Sequence, residues 1–171
     1  MLDIIKRRRS IRSYKLQPVE EKKINEILKA VMFSPSAHNL RPWEIIIIKD
    51  KEARNKLSKV TPWSEFAKDA PVVLALCGDA KKSAYWIEDC SIAAEAIYLE
   101  ATNQELGTCM IQILDIKNNE GKISEELVHK IIHTPAHIRI LCLFPIGYPA
   151  ETKPEHTDSE FQQKKIHQEK F

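Results

Sequence analysis

The fold is indicated first by the segment Ser34-Pro35-Ser36-Ala37-His38-Asn39-Leu40-Arg41-Pro42, which leads through Trp43 into Glu44-Ile45-Ile46-Ile47-Ile48. The prolines and turn-forming residues exclude regular structure from the first part. The β-branched run that follows predicts a strand, and its unbroken apolar character predicts burial on both faces. Polar side chains on a loop in front of a buried strand are typical of ligand sites, although proline-rich turns before strands are also common.

Further along the chain, the apolar pattern predicts more strands and one long helix. The run Val72–Cys77 predicts a second central strand. From about Trp86 to Leu106, apolar residues recur every three or four positions, which predicts a long central helix that Gly107 ends. The segment 108–114 is interpreted as a short strand or extended stretch, and 138–147 as the last strand.

Shorter helices are predicted from their terminal residues. Asp3 is expected to cap a helix that runs to about Arg8, and Pro18 to open a second one. Asp50 is expected to cap a polar helix, and Ser124 another that Pro135 stops. The second helix is predicted to bury one face, formed by Ile24, Ile27, Leu28, Val31 and Met32.

Length, composition and charge restrict the class of protein. A chain of 171 residues without a linker or repeat predicts one domain, 1–171, in which 151–171 form a polar C-terminal extension. The formal net charge of +2 gives no strong field for polyanions, so any anion site must be local. No long apolar segment or cleavage site occurs, which predicts a cytoplasmic protein without membrane attachment.

Cysteine and glycine positions exclude several kinds of site. The four cysteines are widely separated in apolar surroundings, so they are interpreted as reduced core residues rather than zinc ligands or a redox pair. The four glycines are too scattered for a GxGxxG or P-loop motif. The phosphate of a nucleotide-like cofactor would therefore have to be held by side chains and helix ends.

The N-terminal region carries a basic cluster. Arg7, Arg8, Arg9, Ser10 and Arg12 suit bidentate capture of a phosphate group. Spacing alone also fits a solvated basic face, or a nucleic-acid patch whose affinity would fall steeply with salt. No aromatic residues are interleaved with the basic ones, and the near-neutral net charge argues against nucleic-acid binding.

Two other patterns favour ordinary structural roles. His129, His133 and His137 recur every four residues, but Pro135 breaks the helix face and no acidic or cysteine ligand has matching spacing, so no metal is expected. Trp63 and Phe66 could line a substrate pocket, although two aromatic residues at this spacing are more often packing residues.

Two segments together resemble a known signature. Arg8-Arg9-Ser10-Ile11-Arg12, followed by the 34–43 segment, resembles the paired motif of FMN-dependent nitroreductases, Arg-Arg/His-Ser-x-Arg/Lys and Pro-Ser-x-x-Asn-x-Gln-Pro-Trp. Three later segments match in kind and order: Asp89-Cys90-Ser91-Ile92-Ala93-Ala94, Leu106-Gly107-Thr108-Cys109 and Ile146-Gly147-Tyr148-Pro149-Ala150-Glu151. Five ordered matches cover almost the whole chain.

The resemblance implies a fold, a dimer and a set of cofactor-binding residues. The implied fold is α+β, a central, mainly antiparallel sheet flanked by helices, with the tail exchanged across an obligate homodimer that holds FMN at its interface. Residues expected to hold the FMN phosphate and pyrimidine edge are Arg8, Arg9, Ser10 and Arg12. Those expected from the second subunit are Pro35, Ser36, Ala37 and Asn39. Those expected near the flavin ring are Met110, Ile111 and Gln112.

The chain departs from the family pattern at two places. Arg41 stands where relatives usually have glutamine. In the tail, where relatives often have an arginine that completes the phosphate site, this chain has Glu155-His156-Thr157-Asp158. Lys153, Lys164 or Lys165 could substitute for that arginine.

The implied activity is that of an FMN-dependent oxidoreductase. It would take a hydride from NADH or NADPH and reduce a small-molecule acceptor, such as a nitroaromatic or a quinone, by a ping-pong mechanism. Because the flavin supplies the chemistry, no protein acid or base is expected to be catalytic. The alternative is a non-catalytic FMN-binding storage or sensor protein, for which the two departures leave room.

Overall fold

The computed structural model describes residues 1–171 and contains a five-stranded antiparallel sheet between two layers of helices. Its strands are β1 (Trp43–Ile48), β2 (Val72–Asp79), β3 (Gly107–Thr108), β4 (Ile111–Gln112) and β5 (Ile138–Gly147). The order in the sheet is β1-β2-β5-β3, and β4 pairs with β5 beyond the end of β3. The predicted α+β class with an antiparallel sheet is confirmed.

Five α-helices cover the sheet. They are α1 (Leu2–Arg7), α2 (Glu21–Met32), α3 (Lys51–Leu57), α4 (Trp86–Asn103) and α5 (Ser124–Ile132). Short 3-10 turns occupy four of the connections: Ala37–Asn39, Glu65–Lys68, Asp158–Glu160 and Gln163–Lys165. The long central helix predicted from the 86–106 pattern is therefore present, and it is three residues shorter than predicted.

The sheet buries both of its faces because the central strands are continuously apolar at Val72–Cys77 and Ile140–Ile146. On β2, Val72, Leu74 and Leu76 belong to the core formed with α2 and α4, whereas Val73, Ala75 and Cys77 belong to the core beneath α3 and α5. Burying a side chain of this size stabilises the fold by about 1.5–3 kcal/mol. A bulge at Leu141 shifts the alternation on β5. Ile138 and Ile140 belong to the core beneath α3 and α5, whereas Cys142, Phe144 and Ile146 belong to the core formed with α2 and α4.

Two burial predictions are wrong for a topological reason. β1 lies at the edge of the sheet, so Ile47 is 42% exposed instead of buried on both faces. Met32, at the last turn of α2, is also 42% exposed, although Ile24, Ile27 and Val31 on the same helix are buried as predicted. Periodicity identifies a face but does not show where the neighbouring element ends.

Several helix boundaries also differ from the prediction, although Asp50 caps α3 as predicted by accepting the Ala53 N–H at 2.8 Å. α1 begins without a side-chain cap, and Asp3 pairs with Arg7 within it. The second helix begins at Glu21 rather than at Pro18. Ser124 is the first residue of α5 and donates to the Val60 carbonyl at 2.6 Å, so its hydroxyl ties the helix to a loop.

The four cysteines are buried and unpaired, as predicted. Burial raises the pKa of the Cys77 and Cys90 thiols to about 12, which keeps both protonated and unreactive at neutral pH. No helix combines the length and apolarity needed to cross a bilayer.

Candidate functional site

The arginine segment 8–12 lies against the short strand β3. The Ile11 N–H donates to the Thr108 carbonyl at 3.0 Å, and Ser10 forms a parallel bridge with Thr108. Gly107 allows this close approach, because a Cβ there would lie 2.6 Å from Cγ2 of Ile11. The glycine predicted to end α4 therefore has another role, as α4 ends at Asn103 and Gly107 begins β3.

The positive charges of this segment are not neutralised. None of Arg8, Arg9 and Arg12 has a carboxylate oxygen within 4.0 Å of its guanidinium group, whereas neighbouring Lys6 and Arg7 both form ion pairs. Arg9 donates instead to the Pro154 carbonyl, and the Arg12 guanidinium lies 6.0 Å from the centre of the Phe66 ring. Three guanidinium groups within five residues, none with a carboxylate partner, favour an anionic ligand.

The first part of the tail folds back onto the arginine segment of its own chain. Lys153 Nζ donates to the Ser10 carbonyl at 2.5 Å. Glu151 Oε1 accepts the backbone N–H groups of Arg12 at 2.5 Å and Ser13 at 3.2 Å. The hydrogen bond from Arg12, together with the nearby Lys153 ammonium, lowers the pKa of Glu151. Of the tail lysines considered from sequence, Lys153 is therefore the one that the structure brings to the cluster.

His156 provides a second link between the tail and the cluster, and sequence reasoning did not assign it a role. Its Nε2 lies 3.4 Å from a guanidinium nitrogen of Arg8, and its Nδ1 lies 2.7 Å from Glu160. Its backbone N–H donates to the Lys6 carbonyl at 2.9 Å. Lys165, in contrast, lies in the exposed end of the tail and makes no side-chain hydrogen bond within the chain.

The segment 110–112 is connected to the same cluster by Tyr98 of α4. The Met110 N–H donates to the Tyr98 hydroxyl at 2.7 Å, while the Arg8 guanidinium lies 5.2 Å from the centre of the Tyr98 ring. Ile111 is buried, and the Gln112 side chain donates to the Leu114 carbonyl at 3.3 Å. The sequence did not identify Tyr98 as a site residue. It lies in a helix predicted from apolar periodicity, where only its hydroxyl group distinguishes it from a residue that packs in the core.

The proline-framed loop is built around a buried carboxylate. Asp89 is 2% exposed, and its two oxygens accept the Ala37 N–H at 2.7 Å and the Ser83 hydroxyl at 3.0 Å. Arg41 points back into the loop, since its backbone N–H donates to Ser36 Oγ at 2.8 Å and its Nε donates to Asn39 Oδ1 at 2.9 Å.

The loop backbone itself is unusual. His38, Asn39 and Arg41 have φ values of 51°, 55° and 48°, in the left-handed region that residues other than glycine rarely occupy. Such conformations persist where surrounding hydrogen bonds hold them, and they are concentrated at ligand sites. The loop is therefore held in a defined shape, as the sequence predicted for a ligand-binding segment.

One chain does not bring this loop to the arginine cluster. Asp89, which holds the loop, and Tyr98, which contacts Arg8, are nine residues apart on α4. At about 1.5 Å and 100° per residue, they are about 13 Å apart along the axis and half a turn apart around it. The two groups of candidate residues therefore lie on opposite sides of the same helix.

A cavity of about 290 Å³ opens beside Arg9 and Lys153, and its lining also includes Arg7 and the acidic residues Glu105 and Glu151. Guanidinium and ammonium groups are donors that phosphate monoesters prefer. The fold is thus α+β, and its basic segment offers donors for a phosphorylated ligand without a glycine-rich loop.

The chain belongs to the nitroreductase family, whose family model matches residues 5–64 and 58–148. An FMN-dependent nitroreductase from Clostridium difficile R20291 has 36% sequence identity with it, covers 100% of both chains and superposes with a TM-score of 0.97. A protein of Methanothermobacter thermautotrophicus, provisionally named NADH dehydrogenase/NAD(P)H nitroreductase, is 35% identical over 175 residues, 100% of this chain and 87% of that protein. An FMN reductase [NAD(P)H] of Bacillus subtilis is 25% identical over 162 residues, which are 84% of this chain and 63% of that protein.

Proposed function

We propose that this protein is an FMN-dependent oxidoreductase that takes a hydride from NADH or NADPH and reduces a small organic acceptor. The observation that carries the proposal is the set of three arginines, Arg8, Arg9 and Arg12, which have no carboxylate partners. Through Tyr98, Arg8 is also linked to the segment 110–112. The family assignment and the FMN-dependent relative support FMN as the ligand.

The residues that would hold the cofactor divide by their chemistry. Arg8, Arg9, Ser10, Arg12 and Lys153 supply positive charge and donors for the phosphate and the pyrimidine edge of the ring. An arginine or backbone N–H near that edge also stabilises the negative charge that develops on reduction. When bound, FMN supplies the chemistry, accepting electrons from the reduced nicotinamide and passing them to the acceptor in a separate step.

The loop 35–39 would act on the cofactor of a second copy of the chain. In one chain it lies on the other side of α4 from the arginine cluster, so a homodimer is the arrangement that joins the two halves. Apolar side chains exposed on α4 and in the tail support such an interface: Ile87, Ile92, Phe161, Ile166 and Phe171 are between 42% and 107% exposed. We therefore also propose that the tail, 151–171, packs against the partner subunit beyond its first part, which up to His156 contacts the arginine segment of its own chain.

A nitroaromatic or a quinone fits the acceptor role best. The half-buried Phe66 lies beneath the Arg12 guanidinium, so an aromatic surface and a cation meet at that arginine. Three residues before Phe66, Trp63 is 51% exposed and offers a further aromatic surface. The reaction would follow a ping-pong order, in which nicotinamide leaves before the acceptor enters. Four unpaired cysteines support a reducing, cytoplasmic location.

The test is the visible spectrum of the purified protein with added FMN, followed anaerobically. Flavin absorbance that bleaches with NADH or NADPH and returns with a nitroaromatic or a quinone is the expected result. Bound flavin that does not bleach would refute catalysis and establish the storage or sensor function. A protein that takes up no FMN would refute the proposal.

The Arg8→Ala variant serves as the test of the site, with Lys56→Ala as its control. Arg8 has no carboxylate partner, whereas Lys56 pairs with Glu52 at 2.7 Å on the surface of α3, outside the residues assigned to the cofactor. The loss of one charge-assisted contact to phosphate is expected to weaken FMN binding by about tenfold to a hundredfold, or about 1.5–3 kcal/mol. The Lys56 variant is expected to bind FMN like the unmodified protein.

A further inference from the structure

Tyr98 contacts both the arginine segment and the segment 110–112. Its hydroxyl accepts the Met110 N–H at 2.7 Å, and the face of its ring lies 5.2 Å from the Arg8 guanidinium. The ring also packs edge-on against Phe144, with 5.2 Å between the ring centres and 84° between the planes. The two ends of this side chain therefore have separate partners.

The packing fixes the position of the tyrosine. Phe144 is fully buried at the centre of β5, so the ring of Tyr98 rests on the most rigid part of the sheet. Tyr98 itself belongs to the 18-residue helix α4, which contributes seven buried residues to the core. Because both a helix and a buried aromatic ring hold this side chain in place, its contacts with the Met110 N–H and the Arg8 guanidinium also have fixed positions.

The hydroxyl group is neutral at physiological pH. Burial raises the pKa of Tyr98, and the Met110 N–H opposes that shift only in part. Its oxygen is therefore an acceptor for Met110, while its proton remains available as a donor.

We propose that Tyr98 is a positioning residue that sets the ring-facing segment 110–112 and the phosphate-facing Arg8 at a fixed separation. The inference rests on the proposed FMN function and names a residue in α4 that sequence patterns did not assign. The phenol oxygen orients the backbone between β3 and β4 through Met110. The ring face orients the guanidinium of Arg8 toward the ligand.

Two substitutions separate these roles. Tyr98→Phe keeps the ring for Arg8 and Phe144 but removes the acceptor for the Met110 N–H. FMN and riboflavin should therefore lose affinity by the same factor, about three- to tenfold for one neutral hydrogen bond. Tyr98→Leu removes the aromatic face as well, so it should also lower the ratio of FMN to riboflavin affinity, because only FMN carries the phosphate that Arg8 binds.

Tyr148→Phe is the matched control. It also loses one tyrosine hydrogen bond, a 2.7 Å contact from its hydroxyl to Glu20, outside the residues assigned to the cofactor. Its flavin affinities are expected to match those of the unmodified protein. A general loss of stability would affect the Tyr98 and Tyr148 variants alike, whereas a positioning role affects only the Tyr98 variants.

The experiment combines flavin titration with amide hydrogen exchange of the cofactor-free protein. We expect faster exchange of the Met110 amide in Tyr98→Phe, an unchanged FMN-to-riboflavin ratio in that variant and a reduced ratio in Tyr98→Leu. Unchanged Met110 exchange, or flavin affinities in Tyr98→Phe equal to those of the control, would overturn the positioning role while the FMN function stands. Failure of the unmodified protein to bind FMN would instead refute the proposed function, and the Met110 exchange would still report on the hydrogen bond.

Discussion

Removal of the carboxylate of Asp89 should release the loop 35–41 and weaken FMN binding. Asp89 is 2% exposed and accepts two hydrogen bonds, from the Ala37 N–H at 2.7 Å and the Ser83 hydroxyl at 3.0 Å. A hydrogen bond to a charged group contributes about 1.5–3 kcal/mol. Asp89→Ala loses both bonds, and we expect its free energy of unfolding to fall by about 3 kcal/mol after part of the loss is offset by removal of a buried charge.

Asp89→Asn separates charge from shape. Its amide oxygen can still accept the Ala37 N–H, and its NH₂ group can donate to Ser83 after the hydroxyl rotates. The two remaining bonds are neutral, so we expect a loss of only about 1 kcal/mol. Urea unfolding of the cofactor-free protein measures both values, with the denaturant slope compared to verify that the folded state is equally compact.

The same variants test the function of the loop. Left-handed φ values at three residues are costly to maintain without an anchor, so the loop of Asp89→Ala should leave the shape that binds FMN. We expect about a tenfold loss of FMN affinity in Asp89→Ala and a smaller loss in Asp89→Asn. Equal destabilisation by the two variants, or full FMN affinity in Asp89→Ala, would refute this reasoning.

Three further predictions concern other parts of the molecule. Gly107→Ala places a methyl group 2.6 Å from Cγ2 and 2.7 Å from Cβ of Ile11, so it should cost about 1–3 kcal/mol in thermal unfolding and weaken FMN binding. Ile11→Ala in the same chain should not restore the stability, because alanine keeps the Cβ and leaves a cavity in the core. Burial acts to raise the pKa of Glu125, but hydrogen bonds from Arg139 and a backbone N–H outweigh it and hold that pKa below its ordinary value of 4.5. The contribution of the Glu125 carboxylate to the free energy of unfolding is therefore fully present above pH 4.5 and is lost as the pH falls through the lowered pKa. Urea unfolding should show that the free energy of unfolding falls less over this pH range in Glu125→Gln than in the unmodified protein. An equal fall in both proteins would contradict the assignment. Burial raises the pKa of the Cys90 thiol to about 12, and all four cysteines are buried, so a thiol reagent should label none in the folded protein and all four in denaturant.

Local sequence patterns predicted the strands and helices well because most of them are continuous apolar runs or strongly periodic segments. The errors occur where the environment of an element depends on residues that are distant in sequence. β1 was predicted to be buried on both faces, but its position at the sheet edge depends on which strand stands beside it. Gly107 was predicted to end a helix, whereas the structure shows that a glycine is needed there because Ile11, far away in sequence, packs too closely for a Cβ.

The candidate site was predicted in part. The arginine segment and the proline-framed loop follow from motifs that are contiguous in sequence. Asp89 binds Ala37, which is 52 residues away, and Tyr98 and His156 contact Arg8 from 90 and 148 residues away, so no local pattern identifies these roles. The departure from the family at 155–158 drew attention to the tail, but only the structure shows that His156 approaches Arg8.

The central claim is that FMN binds between the arginine segment of one chain and the loop of another. Arg8→Ala/Arg12→Ala impairs the first half of the site, and Ser36→Ala/Asn39→Ala impairs the second. When the two variants are co-expressed with different tags, a heterodimer that joins the halves across its interface contains one intact site and one doubly impaired site. The measurement is the number of FMN molecules bound per chain with the affinity of the unmodified protein.

Our account predicts one such FMN for every two chains in the heterodimer and none in either homodimer. A heterodimer of the unmodified chain with a chain that carries all four substitutions is the control, and it should contain no site of full affinity, because each of its sites has one impaired half. Absence of a full-affinity site from the first heterodimer, or its presence in the control, would contradict the account, since it would place both halves of the site within one chain.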